Sequence, residues 1–293
     1  MRTHRKEFPI EKMAKVLEVS RNGYYKYINR EESITKEENK KIIESIIEIR
    51  EENKKKEAYG SPRMRIELNK RGGTKYSRKR VANLMKEHGI MARNKKDWKY
   101  IPKKANDPKI ASNLINQNFT VNEPDTVYLS DITYIETGEG WLFVSAALDV
   151  FSRKIVGLSM GSRMDTDLIK RSLDQAICHR APKSGLILHS DRGSQYTSAE
   201  YRAHALKHGI SLSMSAPGNP YDNSPMESFF GTLKKEHANW CNFKTREEAT
   251  RSIFEYIEVF YNRERLHSTL DYMSPFEFEQ NWIIESKNNM RVG

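Results

Sequence analysis

The apolar periodicity of this 293-residue chain changes near residue 126, and no other feature narrows the fold as much. Before that point apolar residues recur at helical spacing; after it they crowd into short β-rich runs. Runs at 126–135 and 141–150 flank Thr137-Gly138-Glu139-Gly140, a hairpin signal. A third strand is predicted over 154–159, a helix over 165–179, a short apolar strand over 186–189 and a helix over 198–208 closed by Gly209. Another strand at 210–214 enters a polar loop, 216–224. Helices follow over 225–238, over 246–261 and, as a short one, after Ser274-Pro275. A three-strand meander followed by alternating helix and strand predicts an α/β fold, a mixed sheet flanked by helices.

The preceding third reads as all-α. Ile10, Met13 and Leu17 share a helical face, and Ser20 caps a second short helix carrying Tyr24, Tyr25 and Tyr27. Helices joined this tightly predict a helix-turn-helix-like segment over 1–34. Thr35-Lys-Glu-Glu38 has the capping-box pattern and opens a helix with Ile42, Ile43, Ile46, Ile47 and Ile49 that runs down to Gly60. Ser61, as N-cap ahead of Pro62, begins the next helix, which ends at Gly72-Gly73. Ser77 caps a further one with Val81, Leu84 and Met85, stopping at Gly89. Together these make a helical, helix-turn-helix-like unit over 35–94. Residues 95–125, with Lys95, Lys96, Lys99, Lys103 and Lys104, read as a basic linker, 126–285 as the α/β unit with its C-terminal helices, and 286–293 as a tail.

Charge follows the same division. Residues 1–110 hold 31 basic and 16 acidic side chains, whereas 111–293 hold 19 and 23, so all of the net +11 comes from the first third. Such a split describes a basic module that holds a polyanion joined to a unit doing something else, or else a solvated lysine-rich helical surface. Arg78-Lys79-Arg80 opens the helix capped by Ser77, where positive charge opposes the helix dipole. A phosphate contact gives those residues a reason; an ordinary surface helix is the alternative. Two cysteines, Cys178 and Cys241, exclude a disulfide framework and fit a reducing cytoplasm. No long uncharged apolar run is present and the N-terminus leads into no signal-like region, so neither a membrane span nor secretion is expected.

Three segments carry candidate chemistry. Asp131 sits inside a hydrophobic strand, where a carboxylate is costly unless paired or metal-bound. Asp191 directly follows a short apolar strand, the place where open α/β sheets bind ligands. Glu227 lies in the first turn of a helix that follows a polar loop. Singly, each has a plain explanation as a bulge, a turn residue or a dipole partner. Jointly they are three hard oxygen donors with no Cys/His cluster near, a set suited to Mg²⁺ or Mn²⁺ and not to zinc. There is no phosphate-binding glycine loop of the Walker type and no Gly-x-Ser-x-Gly nucleophile elbow.

Asp131 within DITYI, Asp191 within HSDRGSQYTS and Glu227 within NPYDNSPMESFFGTLKKE, with 35 residues between the second and third acids, resemble the DDE catalytic core of bacterial insertion-sequence transposases related to retroviral integrases. The stretch Tyr261-Asn-Arg-Glu-Arg265-Leu-His267-Ser-Thr-Leu270-Asp-Tyr272-Met-Ser274-Pro275 is similar to that family's C-terminal signature, and Tyr59-Gly60-Ser-Pro-Arg63-Met-Arg65-Ile66 extends the likeness upstream. The resemblance implies a ribonuclease H-like core and the second-reading-frame protein of a two-frame element. It implies an enzyme that nicks element ends and joins the 3′-OH to another phosphodiester, with Asp131 bridging two divalent ions and Asp191 and Glu227 each holding one side. Paired metals activate the attacking oxygen and stabilise the leaving one, so no protein nucleophile is required.

Further roles follow from the same likeness. Lys234, two helical turns beyond Glu227, either touches the phosphate beside the cleavage point or is a plain surface lysine. Arg63, Arg65, Arg78, Lys79 and Arg80 are candidate DNA contacts. Asp222 and Asn223 shape a mobile active-site loop, and Arg265 and His267 support it, His267 as a catalytic or merely packed histidine. Asp149 falls outside the triad and reads as structural. Asp271 stands where the family usually has glycine, and Tyr128 where tryptophan is common. The retroviral zinc module has no counterpart, because only His4 and His88 occur in the helical third and no cysteine precedes Cys178. Implied partners are double-stranded DNA (element ends and target), further copies of the chain, and an upstream-frame protein or frameshift fusion, in the bacterial cytoplasm at the nucleoid. A catalytically inert DNA-binding regulator and a plain nuclease on the same fold are the alternatives.

The charge division generates a measurable expectation. Affinity for duplex DNA should fall with salt at a log–log slope of about −0.9 per phosphate neutralised. Deleting residues 1–110 should remove most of that slope, and an unchanged slope would refute the division.

Overall fold

The computed structural model describes residues 1–29, 34–73, 75–93, 111–216 and 220–292. The chain opens with α1 (Ile10–Val16) and α2 (Arg21–Ile28), and the Ser20 side chain accepts the Gly23 amide at 2.9 Å, the expected cap. The third helix, α3 (Ile34–Glu52), buries Ile42, Ile43, Ile46 and Ile49. Thr35 does not cap it: the helix already contains Ile34, and its entry falls on residues outside those described. Nor does α3 reach Gly60. Asn53 turns extended (φ −142°, ψ 100°) and its side chain accepts the Lys55 amide, starting a 3-10 turn over Lys54–Ala58. In α4 (Ser61–Gly72) the cap is Gly60, so Ser61-Pro62 lies within the first turn, one residue inside the expected start. It closes on Gly73 at φ +63°. Ser77 caps α5 (Arg78–Glu87) as expected, accepting from the Arg80 amide.

Next come β1 (Val127–Thr137), β2 (Gly140–Asp149) and β3 (Ile155–Gly161), then α6 (Thr166–Arg180), β4 (Ile187–Ser190), α7 (Ser194–Thr197), α8 (Ala199–Lys207) and β5 (Ser211–Met214). The sheet order is β3-β2-β1-β4-β5, antiparallel across the meander and parallel from β1 to β4 to β5. Gly157 on β3 lets α6 approach closely, since a Cβ there would stand 2.0 Å from the Ser172 carbonyl. Then follow α9 (Ser224–Glu236) and α10 (Arg246–Glu255), which continues as a π-helical turn, Tyr256–Tyr261. The last helix, α11 (Pro275–Val292), is not short: it runs through the stretch expected as a tail. Its buried Glu279 ties α6 and the β2–β3 turn together, meeting Arg180 at 2.9 Å and Lys154 at 2.8 Å. Asp149 is structural as expected, accepting from Asp125 and Ser152 while burial pushes its carboxyl up to about 6.

One apolar core spans both parts of the molecule. Ile42, Ile46, Met64, Leu68 and Val81 from the helical unit cluster with Leu129, Val144, Phe229, Ile253 and Phe260. Tyr59 is fully buried and its hydroxyl accepts the Leu266 amide at 3.0 Å. Beside it, Glu236 accepts two bonds from Arg265 at 2.7 Å and one each from Arg63 (3.2 Å) and the Tyr256 hydroxyl (3.1 Å). Two arginines hold the Glu236 carboxyl below its ordinary value against burial, and Glu236 raises that of Arg265.

The linker reading needs correction. Its lysine-rich part, 95–110, lies outside the described residues, but 111–125 packs on the α/β unit, with Ile115 buried in the shared core. Deleting 1–110 would therefore open that core, and charge-neutralising substitutions at Arg78 and Lys79 are the cleaner test of the salt slope. Asp271 (φ +51°) and Tyr272 (φ +59°) adopt the left-handed conformation; aspartate tolerates it, which explains how the turn survives without glycine. Among the described residues, no helix is long and apolar enough to cross a membrane.

Glu236→Gln leaves the buried Arg265 guanidinium without its counter-charge. It should cost about 3–5 kcal/mol in urea unfolding monitored by circular dichroism.

Candidate active site

Strand register positions the first two acids. Parallel pairing of β1 and β4 runs Val127–Ile187, Tyr128–Leu188, Leu129–His189. Asp131 and Asp191 each stand two residues beyond the last of these pairs, so they occupy the same level where neighbouring strands are about 4.8 Å apart. The Asp131 carboxylate accepts its neighbour Ile132's amide at 2.8 Å. Asp191 leaves the strand in a tight turn and accepts the Gly193 amide at 2.9 Å. Glu227 comes from α9, which presses Met226, Phe229, Phe230 and Leu233 into the core beside β1 and leaves Glu227 exposed in its first turn.

Electrostatic interaction links Asp131 to both other acids. Burial, then the negative charge of Asp191, then that of Glu227 raise the Asp131 carboxyl well above the carboxylate range; the Ile132 amide and Lys234 act the other way. Burial also raises Glu227. A set of three carboxylates whose charges oppose one another lacks positive charge, and oxygen donors of this kind fit a hard divalent cation.

Supporting contacts around the acids were only partly visible in sequence. The Ser130 hydroxyl pairs with the buried Tyr196 hydroxyl at 2.9 Å, directly behind Asp131. His189 is fully buried, its ring nitrogens 2.8 and 3.1 Å from the Ser213 and Ser215 hydroxyls, and burial lowers it to about 4. Arg192 donates to the Ser215 carbonyl at 2.7 Å, closing the Asp191 turn onto the end of β5. Asp222 is buried and clamped: Asn113 and Gln117 side chains donate to it at 3.0 Å each and the Ala216 amide at 2.8 Å. It thus fixes both ends of the 216–222 loop, whose residues 217–219 lie outside those described. Asn223 is buried and its Oδ1 accepts no hydrogen bond. Tyr196 stands inside a quoted motif, whereas nothing in the pattern around Asn113 and Gln117 marks them.

Other expected residues are distributed more widely. Lys234 stays near the acids, its Nζ 4.8 Å from the Tyr134 ring centroid. Arg265 instead holds Glu236, nine residues beyond Glu227 and about 13 Å along α9, and His267 backs Arg265 with Nε2 3.3 Å from its Nη1, so the pair braces the far end of that helix and not the loop. Arg63 spans the two units, between Glu236 and the Tyr59 ring. The Arg65 Nε is buried without a hydrogen bond. Arg80 is engaged by Glu38 and Asn39, while Arg78 and Lys79 are exposed at the start of α5. Away from the acids, Asp174 on α6 meets His204 of α8 and His208, the residue that ends it, with His204 Nε2 2.6 Å from the carboxylate.

Comparisons with known proteins identify the family. Family models described as an integrase core domain match residues 121–220 and 227–282, and one described as an HTH-like domain matches 36–98. The transposase for insertion sequence element IS904 of Lactococcus lactis is 50% identical over 206 residues, 69% of this chain and 80% of the relative. Transposase InsF for insertion sequence IS3A of Escherichia coli is 36% identical over 277 residues, 94% of this chain and 96% of the relative. A chain of the simian T-cell lymphotropic virus intasome aligns with TM-score 0.45 and 18% identity, covering 73% of this chain and 70% of that one. On these family models and curated relatives the chain belongs to the insertion-sequence transposases, DNA-recombining polynucleotidyl transferases with an integrase core and a helix-turn-helix-like region.

Proposed function

We propose that this transposase nicks the ends of its element and joins the freed strand to a second DNA. In the first step a water oxygen bonds to phosphorus, and the bond from that phosphorus to the 3′ oxygen of the last element nucleotide breaks, leaving a 3′-OH. In the second step the 3′ oxygen bonds to a target phosphorus and loses its proton, while the target's own 3′ oxygen departs and takes one up. The observation carrying this reading is the parallel register that sets Asp131 beside Asp191, with the charge of Glu227 acting on the same site.

Asp131, Asp191 and Glu227 would hold the magnesium or manganese ions. When bound, such ions supply positive charge for the attacking and departing oxygens. Lys234 holds a phosphate oxygen beside the scissile bond. Asp222 keeps the loop before α9 in place, so that Glu227 arrives at a fixed position. Arg78 and Lys79 hold the duplex through its phosphates, and several copies of the chain, with an upstream-frame partner or as a frameshift fusion, assemble on the two ends. An inert DNA-binding regulator would have no need for three mutually repelling acids at one strand end; a plain nuclease would cut without joining.

Incubating labelled element-end duplex with protein and Mg²⁺ should give joined products. Asp131→Asn, Asp191→Asn and Glu227→Gln should each lower joining about 10³-fold or more, as loss of several kcal/mol of charge stabilisation requires, with DNA binding retained in Ca²⁺. Variants that join as well as wild type would remove the assignment. Asp222→Ala should raise amide hydrogen exchange in residues 216–227 and slow joining about tenfold, while leaving duplex affinity unchanged.

A further inference from the structure

Two large aromatic side chains stand in solvent beside the acids. Tyr134 is 54% exposed and Trp141 48% exposed, neighbours across the β1–β2 hairpin with ring centroids 4.9 Å apart at 73°. Tyr134 is three residues beyond Asp131 on the same strand, roughly 10 Å away, and the odd offset turns its ring to the opposite face of the sheet, past the end of the pairing with β4. Lys234 links the two places, because its ammonium lies 4.8 Å from the Tyr134 centroid and its charge acts on Asp131.

The exposure is not that of a loose loop. The Gly138 amide at the hairpin tip donates to the Phe243 carbonyl at 2.9 Å. The Arg246 amide donates to Glu139 at 2.8 Å, and its guanidinium Nε to the Trp141 carbonyl at 3.0 Å. Packing there is close: a Cβ on Gly138 would stand 2.5 Å from the Lys244 carbonyl. The connection between α9 and α10 therefore holds the hairpin rigid and presents the rings in a fixed position, with Lys234 and Arg246 supplying positive charge on either side.

We propose that Tyr134 and Trp141 form an aromatic step that receives the base of an unpaired nucleotide next to the cleavage point, with Lys234 on its phosphate. This rests on the transposase reading of the adjacent acids. A paired base is enclosed in its duplex stack and cannot reach the rings, whereas a splayed base offers a π face to them, and stacking of this kind is indifferent to sequence. The flanking cations favour a nucleotide over an apolar protein segment.

The test measures binding of the full chain, in Ca²⁺ at fixed salt, to three probes of equal length. These are a fully paired duplex, a fork with four unpaired thymidines on one strand, and the same fork with abasic sites replacing those thymidines. Wild type should bind the thymidine fork about tenfold more tightly than the duplex or the abasic fork. Tyr134→Ala and Trp141→Ala should lose that preference while keeping duplex affinity, and Trp141→Phe should keep it. Tyr134→Leu, which retains an apolar side chain but no ring, serves if the alanine variant melts at lower temperature, and should lose the preference too. Equal binding of the two forks by wild type, or a preference that survives in Tyr134→Leu and Trp141→Ala, overturns the proposal. Mg²⁺-dependent cutting is scored separately: if wild type cuts no DNA but discriminates the forks, the catalytic reading fails and the aromatic step stands.

Discussion

The parallel register that brings Asp131 on β1 level with Asp191, just past β4, is the constraint on which the rest of the site depends. Like charges repel: burial and the charges of Asp191 and Glu227 raise the Asp131 carboxyl, and desolvation raises Glu227. The scaffold opposes that tendency with ordinary forces: ladder hydrogen bonds between β1 and β4, a turn closed on Gly193, and an apolar helix face that ties Glu227 to the sheet. Their cost is met by the core around them, and the charge they lack is the charge that a divalent ion carries.

The helical third is part of that support. It shares side chains with the core of the α/β unit, and the junction is polar as well as apolar, through Tyr59, Arg63, Glu236 and Arg265. Arg63 and Arg265 face the same buried carboxylate, so each is held by charge as well as by packing. That arrangement draws a distinction among the basic residues. Those at the junction serve the fold, whereas Arg78 and Lys79 remain in solvent, where a phosphate can reach them.

Much of this was legible in the sequence for physical reasons. The hairpin, the meander and the helix caps at Ser20 and Ser77 each depend on a few adjacent residues, which local chemistry reads well. Asp131 stood out because a carboxylate inside an apolar strand is a poor choice for folding alone, whereas Asp191 and Glu227 stood out only through the motifs around them. What escaped was non-local. Asn53 breaks α3 where the pattern of isoleucines gave no warning, and α11 extends because Glu279 finds Arg180 and Lys154. The C-terminal signature around Arg265 and His267 pointed to the active-site loop, but its geometry is set by Glu236 at the opposite end of α9. Residues 111–125 looked featureless because their order comes from partners a hundred positions away, such as Asp222 and Ser213.

That last pairing has a mechanical meaning. Asn113 and Gln117 grip Asp222 from a segment that continues, through the backbone, into the helices carrying the excess positive charge. Those two amides act on α9 through Asp222, five residues ahead of Glu227, so loosening either would release the entry to α9 and not merely a surface loop.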